Sequence, residues 1–357
     1  MNTSAEARGV WGLRAALAEF SGRYLLMYAL LGIVLIGLPA AINSDATLQT
    51  VNLAFIYAIA ALGLNIIFGL SGLLSIAQAA VMGVGGYALV FAMAGTVGVV
   101  PAVALGCISG AVLSGLTGLA SGRIRSHYFI ILTLALAEAV LLIVVNNPDV
   151  TGGSNGMPLP GNTRILGLDP STSEGLFFIV MPLLMASWYI ADCFKRSRPG
   201  LALRALNTDE YLALMAGVAT GRARFYATLI GGAFAGLAGA LLVVDDSYIG
   251  PQNFDIDTSA LLLLIIVLGG PGSNAGTVVA ATILTVLLQG MLMFTTIGQL
   301  IYGLAIMVLI IIAPGGLAGL ARLLLVRLSR PFDSVSWPKR CLKAPTAARR
   351  ASRSARG

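Results

Sequence analysis

One carboxylate in this chain sits where carboxylates are rarely found. Glu138 lies inside the apolar run Tyr128–Val145 and is the only acid well within any such run. It follows His127 by eleven residues, about 16 Å of helix and close to mid-membrane. At that depth a carboxylate can carry a proton, meet a cation, or serve as a neutral acid in a structural hydrogen bond. Any of these requires it to face protein interior or a wet cavity. The sequence leaves a pathway role and a structural role open. His127, the lone histidine, stands at the edge of the same run, where an interfacial anchor is expected. Without a second histidine there is no HExxH, and no Ser/His/Asp set can be assembled around it. The only lysines are Lys195, Lys339 and Lys343, and no G-x4-G-K-[ST] exists. ATP chemistry would therefore need a separate subunit. Cys107, Cys193 and Cys341 lie far apart with no CxxC spacing, which argues against a metal site or a disulfide framework. Neither catalysis nor metal binding nor a cofactor is expected of this chain.

Neutral polar chemistry remains. The stretch LGLNIIFGLSGLLSIAQAAVMGVGGY, residues 62–87, places Asn65, Ser71, Ser75 and Gln78 at membrane depth among Gly69, Gly72, Gly83, Gly85 and Gly86. Such groups need partners in lipid. Broken helices of this kind present backbone and side-chain dipoles to a transported solute. The same residues would also serve tight helix packing, with serines bonded back to carbonyls. Both readings stand.

The elements that must hold these residues are membrane spans. Hydrophobic residues make up 57 %, charged residues 10 %, and the mean hydropathy is +0.90, which excludes a soluble domain. Continuous apolar runs exclude a β-barrel. The fold expected is all-α: a polytopic helical membrane protein of about ten crossings with broken or re-entrant segments. Residues 1–23 read as a cytoplasmic leader, 24–320 as the transmembrane domain and 321–357 as a basic cytoplasmic tail drawn to anionic lipid. Spans are expected at 24–42, 48–70, 73–94, 97–120, 128–145, 176–193, 225–244 and 298–313. Two shorter elements within 258–292 are joined by a glycine turn and either cross obliquely or re-enter. Basic turns place 121–126 and 195–224 inside, and acidic loops place 146–175 and 245–257 outside. Both termini then lie in the cytoplasm. Gly232 and Gly236 have GxxxG spacing for close helix contact. The net charge of +7 belongs to loops and tail, and no compact basic domain suggests nucleic acid.

The long polar island Lys195–Arg224 interrupts this pattern. Asn207-Thr208-Asp209-Glu210 reads as a helix start, with Asn207 or Thr208 as cap and acids in the first turn. That helix is expected from Glu210 to about Ala216, released at Gly217. A short helix slung between two spans is either a lever for another protein or an ordinary solvated loop.

Four blocks carry a resemblance: residues 62–87, NNPDVTGGSNGMP (146–158), SRPGLALRALNTDEYLALMAG with GGAFAGLAGAL (197–241), and IIVLGGPGSNAGTVVAA (265–281). With the ending YGLAIMVLIIIAPGGLAGL (302–320), the chain resembles LivM-type permease subunits of branched-chain amino acid ABC importers over residues 50–320. The resemblance implies that Arg204, Glu210 with its neighbour Asp209, and Gly217 belong to a coupling helix docking on an ATPase. Tyr211-Leu212-Ala213 departs from the family's usual alanines, and Leu141 stands where an arginine commonly follows the intramembrane glutamate. The implied partners are a LivH-like second permease, two cytoplasmic ATPases using ATP, and a soluble external or periplasmic binding protein. The implied location is the bacterial inner membrane. A relative carrying urea, short amides or other amino acids is the alternative, and an ion-coupled secondary carrier is the alternative from another class.

Overall fold

The computed structural model describes residues 45–95, 98–122, 126–160, 172–292 and 303. The expected spans at 24–42 and 298–313, the leader and the basic tail lie outside these residues. Ten helices of six or more residues carry the described part. They are α1 Asp45–Leu64, α2 Gln78–Ala94, α3 Val99–Ser121, α4 Ser126–Asn146 and α5 Ser173–Arg196. These are followed by α6 Arg198–Thr208, α7 Glu210–Met215, α8 Thr220–Asp246, α9 Ile256–Gly269 and α10 Asn274–Leu292. Among the described residues, six helical segments are long and apolar enough to cross a membrane, and α2 and α10 are shorter apolar helices.

Helices α1 and α8 form the centre. α1 is apolar on every face and buries residues from Leu48 to Leu64, the pattern of a helix surrounded by others. α8 packs on α1, α2 and α3, and small residues set how closely. A Cβ on Gly110 of α3 would lie 2.5 Å from the Gly232 carbonyl oxygen and 2.7 Å from Gly236 Cα. A Cβ on Gly85 of α2 would lie 2.5 Å from Gly236 Cα. The expected GxxxG contact is thus present, with α3 and α2 on its two sides. α4 is peripheral: only 22 % of its apolar window is buried, against 78 % for α8.

Two breaks interrupt the bundle. After α1 the helix widens into a π-turn over Asn65–Gly69. It then leaves helical geometry through Gly72 at φ +71°, and α2 starts only at Gln78. The freed backbone is satisfied from neighbouring spans: Ile76 N–H donates to Thr133 Oγ1 at 3.3 Å, and Ala79 N–H to Ser259 Oγ at 3.1 Å. Irregular backbone at this depth requires such donors and acceptors. The second break joins α9 to α10 through Gly270 and Gly272, at φ +92° and +78°. The apolar run 258–268 is expected to be too short to cross even with its flanks, and the structure corrects this: α9 alone has 14 residues. A 3-10 turn at Pro251–Phe254 lengthens the segment to 19 residues, so its flank makes the crossing length the apolar run lacks.

The loops sort to two ends. At one, Met157 pairs with Ile249 and Pro158 with Tyr248 in a minimal antiparallel ladder of β1 (Met157–Pro158) and β2 (Tyr248–Ile249). This joins the two acidic loops. At the other, both breaks, the end of α3 and the polar island meet.

Candidate functional site

The island folds as two helices, not one. Ser197 caps α6 by accepting from Gly200 N–H, and Pro199 sits in the first turn, where its missing N–H is harmless. Leu203 and Leu206 are its buried positions. Asn207 and Thr208 close α6, and Thr208 Oγ1 donates back to the Arg204 carbonyl at 3.0 Å. They are therefore not the cap of the next helix, as the sequence suggests. Asp209 is: it is extended (φ −156°, ψ 111°), and its carboxylate accepts from Tyr211 N–H at 2.9 Å and Leu212 N–H at 3.0 Å. A carboxylate satisfies these free amides and the helix dipole together. α7 ends on Gly217 at φ +78°. Gly217 N–H donates to Leu214 O and Val218 N–H to Ala213 O, the pair of bonds a left-handed C-terminal residue makes.

α7 hides only Ala213. Tyr211, Leu212, Leu214 and Met215 are 75, 68, 50 and 88 % exposed. Four large apolar side chains on six residues give α7 an exposed apolar face. Arg204 is exposed on α6. Glu210 is half-exposed and pairs with buried Arg224, Nη2 to Oε1 at 3.0 Å. Arg224 Nη1 also donates to the Ser121 carbonyl at 3.2 Å. Sequence reasoning counted Arg224 as a loop charge; α8 in fact begins at Thr220 and carries it inside.

The candidate pathway residues fall into two groups. Asn65 is buried, accepts from Gly272 N–H at 2.8 Å and donates to Asn274 Oδ1 at 2.8 Å. Asn274 in turn donates to Asp192 Oδ1 at 2.6 Å, and Lys195 Nζ donates to the Gly272 carbonyl. One network thus ties the π-turn, the second break and the end of α5 together. Ser71 Oγ donates to the Ile67 carbonyl, and Gln78 Nε2 reaches Ala60 O at 3.4 Å and Gly231 O at 3.2 Å. These three side chains are engaged within the bundle. Ser75 and Glu138 differ, since neither makes a hydrogen bond or ion pair among the described residues. Glu138 is half-buried on peripheral α4. Asn274, Asp192 and Lys195 escaped sequence reasoning; the only trace was a polar residue closing each of two glycine-rich turns.

The described residues define a multi-pass helical membrane protein, with two breaks in its bundle and a pair of short helices between α5 and α8. The comparisons give its kind. Residues 46–314 match the family described as "Branched-chain amino acid transport system / permease component". The chain is 30 % identical over 310 residues to the high-affinity branched-chain amino acid transport system permease protein LivM of Salmonella typhimurium, covering 78 % of this chain and 71 % of that one. It is 30 % identical over 305 residues to LivM of Escherichia coli, with the same coverage. It is also 27 % identical over 257 residues to the permease LivH of Salmonella typhimurium, covering 66 % of this chain and 82 % of that one. The chain belongs to the family of branched-chain amino acid transport permeases, and is an ABC importer permease subunit of a complex with a second permease. No solved structure gives a significant match.

Proposed function

We propose that this chain is the LivM-type subunit that moves branched-chain or closely related amino acids into the cytoplasm, beside a LivH-like partner. The observation that carries this is the family match over residues 46–314. Two cytoplasmic ATPases drive it, and an external binding protein delivers the amino acid. The exposed apolar face of α7 supports an ATPase docking there, with Asp209 and Gly217 fixing the helix ends and Arg204 on its approach. Basic turns support placing the island in the cytoplasm of a bacterial inner-membrane protein. Ser75 and Glu138, polar and without a partner among the described residues, are the residues we assign to the translocation path; Asn65, Ser71 and Gln78 hold its wall. A zwitterion with an apolar side chain suits a path of backbone dipoles and few fixed charges.

The test is energetic. Leucine uptake in cells making the complete set of subunits should stop on ATP depletion while the membrane potential is clamped. Uptake that follows the potential and ignores ATP would replace this reading with an ion-coupled carrier.

A further inference from the structure

We propose that Glu210 and Arg224 form an internal strut carrying movement of α7 into the packed pair α3–α8, so that Glu210 acts as a positioning residue within this chain. The inference rests on the reading of the island as the ATPase-coupling segment, and deepens it.

Three observations meet here. The first is the reach of one buried side chain. Arg224 is 4 % exposed. It holds Glu210 at the start of α7 and the Ser121 carbonyl at the end of α3, while itself belonging to the first turns of α8. A planar guanidinium fixes the direction of both contacts, which an ammonium would not. Among the described residues its Nε has no partner, and the Glu210 carboxylate is the only anion within ion-pair distance of this buried charge.

The second is what the strut pushes on. α3 and α8 approach until a Cβ on Gly110 would meet the Gly232 carbonyl at 2.5 Å. Ser114 Oγ also bonds to the Thr228 carbonyl at 2.8 Å. Helices in such contact have no room to slide independently and move as one body. The third is how loosely α7 is otherwise held. It has a joint at each end, extended Asp209 and left-handed Gly217, and hides one alanine. Force on its apolar face reaches the spans through its single charged tie.

Glu210→Gln keeps the shape and removes the charge. In the purified complex reconstituted in liposomes, the ATPases should stay bound and ATP hydrolysis continue. Leucine moved per ATP hydrolysed should fall about fivefold or more, the scale of a lost coupling interaction. Arg224→Gln should fall comparably. The double variant should fall no further than the worse single one, because both remove one interaction. An unchanged leucine-to-ATP ratio in Glu210→Gln would overturn the strut. Loss of the ATPases in that variant would also overturn it, by making Glu210 a docking contact. Met215→Glu examines the underlying reading separately, since a charge on the exposed apolar face should shed the ATPases. Their retention would refute docking through α7, a result distinct from normal coupling in Glu210→Gln.

Discussion

A buried asparagine is a demanding choice, because its amide must be satisfied on both sides. Asn65 is, accepting from Gly272 and donating to Asn274. Asn65→Ala would orphan the Gly272 N–H and leave Asn274 half-used, at about 1–3 kcal/mol for a buried unsatisfied group. We expect a clear fall in the melting temperature of the detergent-solubilised protein. Ser71→Ala, which removes a hydroxyl bonded only locally, to the Ile67 carbonyl and, at 3.4 Å, from the Leu73 N–H, should shift it less. Equal shifts would mean that the network holds nothing. The polarity of Asn65 was legible from the sequence, but its partners were not. They lie more than 200 positions away at Gly272 and Asn274, and only the meeting of the two breaks brings them together.

At the scale of elements, apolar runs and glycines located most spans among the described residues within a few residues, because lipid forces backbone bonds to close within each segment. The island was harder. Only the helix from Glu210 is expected in it, yet Ser197 and Pro199 begin an earlier one and Gly200 packs against the Phe194 carbonyl. Its apolar pattern, Leu203 and Leu206, is too short to show among the island's eight charges. Arg224 failed for the same reason: charge marks loops in membrane proteins, and a buried, paired arginine breaks that rule. The α3–α8 contact offers the sharpest test of packing. A side chain on Gly236 would meet the Gly106 carbonyl and, at 3.1 Å, Gly110 Cα. Both are backbone and cannot step aside. Gly236→Leu should cost at least ~1–3 kcal/mol of overpacking and collapse the monodisperse peak in size-exclusion chromatography. Gly290→Ala, with no described residue within 4 Å of the new Cβ, should leave it intact. A monodisperse Gly236→Leu protein would show that the two helices can part.

Across the whole molecule, loops that charge assigned to opposite sides of a membrane do gather at opposite ends of the bundle. Tyr248 OH donates to the Asn155 carbonyl at one end, and Arg224 joins Ser121 at the other. Which end faces the cytoplasm is a matter of charge alone, and labelling decides it. In a background lacking Cys107, Cys193 and Cys341, single cysteines at exposed Ser154 and Gln252 should react with an impermeant thiol reagent on intact cells. A cysteine at exposed Thr208 should react only after permeabilisation. The reverse pattern would invert the topology and place the island outside, beyond reach of any cytoplasmic motor.

The π-turn at Asn65–Gly69 makes chain length a matter of direction. A π-turn holds one residue more than the α-turn it replaces. Removing any one of the five would let the helix close to ordinary pitch and keep its hydrogen bonds, so locally the deletion would look like an improvement. Everything downstream would keep its aim as well, because five residues at π pitch and four at α pitch cover nearly the same arc. Gly72 would still face Asn207, and Gln78 the Gly231 carbonyl. The same deletion inside α1, which has no spare residue to lose, would swing everything after it by about 100° around the axis, so this one turn is where the span can shorten without re-aiming α2.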